Sequence, residues 1–306
     1  MRYPHHIVAA GVLAASFMAM PAFSEIKVSD KLSLTGFMDM SVTSSLPDAG
    51  PKTFNATFDQ FELDFKYTFD DKLTARVDLN SLGGGSLDLE RAFITYRVQP
   101  DVRIGAGKFL STSGWEAPEP TGLYQFSTSN AYVYGGYQNG VNVAYDVNPV
   151  VSLYAAFVDG IWVDDGDLVR PGFEAQVALT PTPELTAKLT GMYEHQVGYG
   201  KSVVNAWASY VEAGWTTALE ANYLFNYAAD GDNGYAYLAM VNYKFANDIG
   251  LTGRFSGIDT ETSTPSREIT FSPSYSLAAN WVILAEAQYQ LDAKDIGLAL
   301  ETTVTF

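Results

Sequence analysis

Polar and apolar residues alternate along most of this chain with a period of two. Phe61, Leu63, Phe65 and Tyr67 interleave with Glu62, Asp64 and Lys66, and Leu73, Ala75, Val77 and Leu79 interleave with Thr74, Arg76, Asp78 and Asn80. The pattern runs to the C-terminus, where Ile296, Leu298, Leu300, Thr302, Val304 and Phe306 alternate with Gly297, Ala299, Glu301, Thr303 and Thr305. A period of two puts successive side chains on opposite faces of an extended chain, so each such segment predicts a strand with one apolar and one polar face. No segment after residue 24 has the roughly 20 consecutive apolar residues of a membrane helix.

The connections between these segments take turns in length. Short ones fall at Phe69-Asp70-Asp71-Lys72, Gln99-Pro100-Asp101, Asn148-Pro149, Pro181-Thr182-Pro183, Glu212-Ala213-Gly214, Asn247-Asp248 and Ala279-Asn280. Longer ones, rich in Gly, Ser and Asp, lie near 45–56, 81–86, 111–135, 159–170, 195–202, 228–234, 258–265 and 291–295. They separate about 16 strands. An even strand number with short turns at one rim and long loops at the other predicts an all-β fold, an antiparallel up-and-down transmembrane β-barrel with short periplasmic turns and long extracellular loops.

Three features place that barrel in a membrane. The apolar faces carry aromatic residues near strand ends (Tyr67, Tyr96, Tyr145, Phe173, Tyr193, Tyr210, Trp215, Tyr243, Tyr275, Trp281, Tyr289), which reads as two girdles at the lipid–water boundaries. The other face carries too many charges to pack as a core, because unpaired buried charge is expensive. The chain also opens on an export signal, 1–24. Arg2 precedes an apolar run from Ile7 to Met20 that is too short to span a bilayer, and Ala22-Phe23-Ser24 predicts cleavage before Glu25. The remaining stretch, 25–306, reads as one barrel domain.

Composition narrows the chemistry. There are no cysteines among the 306 residues, which excludes disulfides, thiolate metal sites and cysteine nucleophiles. A formal net charge of −17 argues against nucleic acid as a partner. Nothing in the chain calls for a cofactor. The expected partners are outer-membrane lipid and lipopolysaccharide on the outside and small hydrophilic solutes and ions within, with a homo-trimer as the analogous assembly.

Several stretches resemble the outer-membrane β-barrel porins of the OmpL-like porin-2 family: Leu87-Asp88-Leu89-Glu90-Arg91-Ala92-Phe93, Gly107-Lys108-Phe109, Gly114-Trp115-Glu116, Tyr124-Gln125-Phe126-Ser127 and Phe157-Val158-Asp159-Gly160-Ile161-Trp162. The architecture extends over most of the chain after residue 24, and these motifs over about 75 residues. The sequence departs from the family pattern at Gln125, where a Tyr-Ser-Arg-Ser-like motif has a basic residue, and at Asp159, where Asn is usual. The resemblance implies a pore-forming role without fixing a substrate.

Sixteen strands enclose a water-filled channel, whereas eight would be plugged by their own side chains. Alternation turns Glu62, Asp64, Lys66, Arg76, Asp78, Arg91, Arg97 and Arg103 inward on one wall. Asp146, Glu174, Lys188, Glu220, Lys244, Arg254, Glu286 and Glu301 line the far wall. Lys108 and Phe109 break strict alternation, which suggests a bulge there. The longest connection, 111–135, is the third long loop, stiffened by Pro118 and Pro120. It either folds in as a constriction, with Glu116 and Glu119 facing the basic wall of Arg76, Arg91, Arg97 and Arg103, or caps the barrel from outside. Folded in, it sets a transverse field across the channel. The acidic outer loops and lumen acids favour a weak preference for cations.

Other readings stay open. Asp230-Gly231-Asp232-Asn233-Gly234 hints at a calcium loop, but EF-hand spacing would put the bidentate carboxylate at Val241, so a solvated loop fits better. His195 is the one histidine after residue 24 and could serve as a base in an outer-membrane hydrolase, with Glu194 and Ser202 nearby. No nucleophile motif accompanies it, and catalytic residues are not expected. A structural or adhesive barrel with a closed lumen would show the same strands and loops.

Overall fold

The computed structural model describes residues 25–129, 133–162 and 169–306. The expected leader, 1–24, lies outside the described residues, as do the loop acids Asp164, Asp165 and Asp167. A short strand, β1 (Ile26–Lys27), precedes the barrel. The first barrel strands are β2 (Leu32–Leu46), β3 (Thr53–Thr68), β4 (Leu73–Leu82), β5 (Asp88–Gln99) and β6 (Val102–Leu110). A 3₁₀ turn, Pro120–Gly122, lies between β6 and β7 (Tyr137–Asp146). There follow β8 (Val151–Val158), β9 (Gly172–Leu179), β10 (Leu185–Gln196), β11 (Tyr199–Glu212) and β12 (Trp215–Phe225). The last are β13 (Gly234–Lys244), β14 (Ile249–Thr260), β15 (Ser266–Ala278), β16 (Trp281–Gln290) and β17 (Ile296–Thr305).

Strands β2 to β17 pair antiparallel with their sequence neighbours, and β17 pairs with β2 from Ile296↔Leu46 to Thr305↔Phe37. The result is a closed barrel of 16 strands, with β1 added beside β2 at Ile26↔Leu34. Closure leaves no open edge on the barrel, which is what hydrocarbon surroundings demand of a sheet. The seam is tight. Gly36 and Phe306 exchange backbone hydrogen bonds of 2.9 Å each way, and the Phe306 ring lies 6.4 Å from that of Phe61.

The seven short turns fall where the sequence puts them, and the Ala213-Gly214 turn has both residues at positive φ (50° and 85°), the two-residue hairpin geometry. One long loop is corrected. The connection expected over 195–202 is a two-residue turn, Val197-Gly198, because Tyr199, Gly200, Lys201 and Ser202 stay in the ladder opposite Gln196, His195, Glu194 and Tyr193. Gly198 takes φ 92°, and polar strand ends extend β10 and β11 beyond the period-two core.

Ten of the eleven girdle aromatics are exposed on the outer face. Tyr243 is the exception, half-buried beneath Trp215 with ring centroids 4.5 Å apart. Inside, the lumen is less polar than expected. Phe109, Tyr134, Val158, Ile161, Met192, Val203 and Leu224 form an internal apolar cluster, and Trp115, Trp207, Leu238 and Met240 a second. Phe109 therefore points inward in regular register. The β6–β7 ladder runs without a shift from Val102↔Tyr145 to Leu110↔Tyr137, so the bulge expected at Lys108–Phe109 does not occur. Bulges do occur where alternation looked regular. In β3 the pairing with β2 skips Asp59, and in β5 the pairing with β4 skips Glu90. Each extra residue lets two consecutive side chains face the lumen.

Candidate pore constriction

The connection between β6 and β7 turns into the barrel instead of capping it. Its neck is closed by Ser111 N–H donating to Gly136 O at 3.0 Å. Gly114, at φ 87°, lies so close beneath the Tyr134 ring that a Cβ there would sit 2.6 Å from it. From that bend the chain crosses the lumen, and the far wall supplies acceptors for backbone groups that would otherwise be buried without partners. Glu174 accepts from Thr112 N–H at 2.8 Å, Glu220 from Trp115 N–H at 2.7 Å, and Glu286 from Ser127 N–H at 3.2 Å. Trp115 lies edge-on to Trp207 at 5.4 Å between centroids, and Tyr134 donates to Glu220 at 2.8 Å.

A second loop braces the neck. Glu194, fully buried, accepts from Ile161 N–H (2.5 Å) and Trp162 N–H (2.7 Å), and the Trp162 indole donates to Val133 O at 3.1 Å. The Lys201 ammonium stands 4.3 Å from the ring centroids of both Trp162 and Tyr227.

The loop carries its two carboxylates to opposite walls. Glu119, the residue before the 3₁₀ turn, meets Arg91 of β5 at 2.9 Å. Glu116 meets Arg254 of β14 at 2.6 Å and accepts from Gln125 at 2.9 Å and Ser129 at 2.8 Å. Arg254 also contacts Glu268 at 2.5 Å and donates to Ser127 O at 2.5 Å. Where the family motif has a basic residue, Gln125 thus donates to Glu116, and the adjacent positive charge comes from the wall.

The ten residues singled out in the sequence divide into three groups. Glu62, Asp64, Arg76, Asp78, Arg91 and Glu119 come together on the β3–β5 wall. Arg76 lies 3.2 Å from Asp64 and 2.8 Å from Asp78, while Arg91 contacts Asp78 and reaches Glu62 at 3.4 Å. Glu116 sits across the lumen from that wall, because Trp115 is fixed on Trp207 and Glu220 and the next residue follows it to β14. Lys66, Arg97 and Arg103 lie towards the short turns, where Arg103 forms a bidentate pair with Asp146 (2.9 and 3.1 Å). The expected bare basic wall facing two acids is therefore not present. Its two central arginines are threaded between carboxylates of the same wall.

Sequence reasoning missed Glu90 and Asp59 as lumen groups and left Arg254 among the far-wall residues. Strict alternation turns Glu90 outward once Arg91 is turned inward. Two consecutive charges, Glu90-Arg91, were the one available sign of a bulge. Two minor candidates also resolve. Asp232 is buried, accepting from Ala228 N–H (3.1 Å) and Thr262 N–H (3.0 Å), so it pins two loops. Burial alone would raise its carboxyl pKa, but these hydrogen bonds outweigh burial and lower it. That staple is lost as pH falls through the lowered value, so protease cleavage within 226–233 should rise in acid and not at neutral pH. His195 is exposed on the outer face while Glu194 is buried on the inner one, so the two form no dyad.

Comparison with known proteins bears on the barrel as a whole. Solved outer-membrane proteins of 11–13% identity superpose over nearly their full length. OmpF of Salmonella typhi, solved with daunomycin, matches with a TM-score of 0.72 at 11% identity over 92% of this chain and 100% of the other. The anion-selective porin of Comamonas acidovorans matches at 0.68, with 13% identity over 90% and 99%. The trimer form of Vibrio cholerae OmpT matches at 0.65, with 11% identity over 90% and 100%. At such identities the likeness concerns the fold. No curated protein sequence matches significantly. A family profile settles membership, since beta-barrel porin-2, OmpL-like, matches residues 66–303, and the chain belongs to that family.

Proposed function

We propose that this barrel sits in the outer membrane and passes ions and small hydrophilic solutes by passive diffusion, with a weak preference for cations. The observation that carries the reading is the loop after β6, whose described residues 111–129 lie across the lumen and are tied by charge to opposite walls, at Arg91 and Arg254. A loop held this way narrows a channel without needing to move. Selection follows from the charges around it, since groups on low-dielectric walls focus a field across the gap. Glu62, Asp64, Asp78, Glu90 and Glu119 surround only Arg76 and Arg91 on the β3–β5 wall, so the local balance is acidic. The reading also includes export by a cleaved leader, contact with lipopolysaccharide at the outer rim and trimeric assembly.

Planar-bilayer recording of the folded chain after leader removal tests this. Stable conductance steps are expected, with a reversal potential of cation-selective sign in a salt gradient. The double variant Glu116→Gln with Glu119→Gln should lower the cation-to-anion permeability ratio severalfold, because charged clefts sustain potentials of several kT. An unchanged ratio would remove the loop carboxylates from the selectivity mechanism.

A second reading, a closed structural barrel, is favoured by the burial of wall residues at loop height. Glu62, Asp78, Glu174 and Arg254 are each no more than 2% exposed. Silence in the bilayer from demonstrably folded protein is the result that would select it.

A further inference from the structure

The bulge at Glu90 creates a feature that solute passage does not require. It turns Glu90 towards Glu62 of β3 and Glu119 of the inner loop, and one carboxylate oxygen from each lies within 4.8 Å of the others. Oxygens bound to one calcium ion, at 2.3–2.6 Å each, lie at most about 5 Å apart. A second trio, Glu62 with Asp64 and Asp78, is equally close, but Asp64 and Asp78 are taken up by Arg76 and Arg91. The first trio has only part of one guanidinium, the Arg91 Nη2 at 2.9 Å from Glu119 and 3.4 Å from Glu62.

Asn80 provides an independent pointer. It is 8% exposed and pairs directly with Glu62 in the β3–β4 ladder. Its side chain reaches into the trio, donating through Nδ2 to Glu90 Oε1 at 2.9 Å. Among the described residues, its carbonyl oxygen has no hydrogen-bond partner. A buried, unpartnered amide oxygen beside three carboxylates asks for a cation, since an unpartnered acceptor or charge in such a place is costly.

We propose that Glu62, Glu90, Glu119 and the Asn80 carbonyl oxygen form a binding site for one hard divalent cation, calcium above magnesium. An irregular oxygen cluster with carboxylates free to bind through one or two oxygens suits calcium, whereas magnesium demands near-octahedral geometry and retains its waters. Three carboxylates against one shared guanidinium match a charge of two. Because Glu119 belongs to the loop while Glu62 and Glu90 belong to the wall, the ion clamps the loop's 3₁₀ turn to β3 and β5. The site requires the folded barrel but not conduction, so its fate is separable from the porin reading.

Calcium titration calorimetry on chelator-stripped, detergent-folded barrel tests the site. One saturable calcium per chain is expected, with affinity lowered at least tenfold in Glu90→Gln and in Glu119→Gln. In Asp292→Asn, which removes an outer-loop acid paired with Arg267, it should be unchanged. Circular dichroism and heat-shifted gel mobility verify folding of each variant, and Glu119→Gln, on the loop, serves if Glu90→Gln fails to fold. No saturable uptake by folded protein up to about 10 mM, beyond the weak end of protein calcium sites, overturns the proposal. So does an affinity that both glutamine variants leave intact.

Discussion

Arg254→Ala is expected to detach the distal half of the inner loop and raise single-channel conductance. Arg254 is 2% exposed and holds Glu116, Glu268 and the Ser127 carbonyl at once. Its removal leaves two buried carboxylates without their countercharge, and breaking a buried pair in this manner costs about 3–5 kcal/mol. The remaining anchors of that segment are hydrogen bonds, neutral ones such as Thr252 to Tyr124 O at 2.9 Å, worth about 0.5–1.5 kcal/mol each, and Ser127 N–H to the Glu286 carboxylate at 3.2 Å, worth about 1.5–3 kcal/mol. The proximal half should stay in place, held by Trp115 on Trp207 and by Glu220. Larger and noisier steps are expected in the bilayer, together with chymotryptic cleavage at Phe126, which conduction does not influence. Glu116→Gln added to Arg254→Ala should cost less than the sum of the two changes, because the residues share one interaction. Cleavage and conductance both matching the parent protein would show that Arg254 does not hold the loop.

Gly36→Val should stop most of the protein from closing. A Cβ at Gly36 would lie 2.3 Å from Glu62 O and 2.8 Å from the Phe306 ring, both at the β17–β2–β3 seam. The Phe306 ring can turn aside, but Glu62 O is backbone in the β2–β3 ladder and cannot yield. Gly191→Ala is the control, as nothing lies within 4 Å of a Cβ at that position. Folded barrels run differently from unfolded chains on gels before heating. The valine variant should run largely as the unfolded species and the alanine variant as the folded one. A normal folded fraction for Gly36→Val would mean that the seam has more slack than its geometry shows.

The barrel was legible in the sequence because hydrocarbon outside and water inside force every strand to declare its faces. Tyr67, Tyr96 and Trp281 mark the boundaries with lipid, and Pro100-Asp101 or Ala213-Gly214 mark the turns. The constriction was legible only in part. The loop's length and prolines left two placements, inward or capping, and its destination depends on contacts remote in sequence, such as Trp115 with Trp207 and Glu116 with Arg254. Nothing local distinguishes Arg254 from Lys244 as an inward cation. Period-two reasoning also fails at a bulge, which is how Glu90 and Asp59 were missed. It misled at Phe109 for a different reason. The lumen there holds a packed loop, so an apolar side chain belongs on the inner face.

The two bulges have an evolutionary consequence. Deleting Glu90 would restore the β4–β5 register and remove one interior carboxylate, while the lipid-facing side chains on either side, Leu89 and Ile94 among them, would keep their orientation. Inserting a residue at a regular position would do the reverse. In a barrel wall, where substitutions on the outer surface meet a strict solvent, gain or loss of a single codon is thus a route for retuning interior charge that natural variation can explore in one step. Length polymorphism within β3 and β5, more than substitution, is where members of this family should diverge in what they admit.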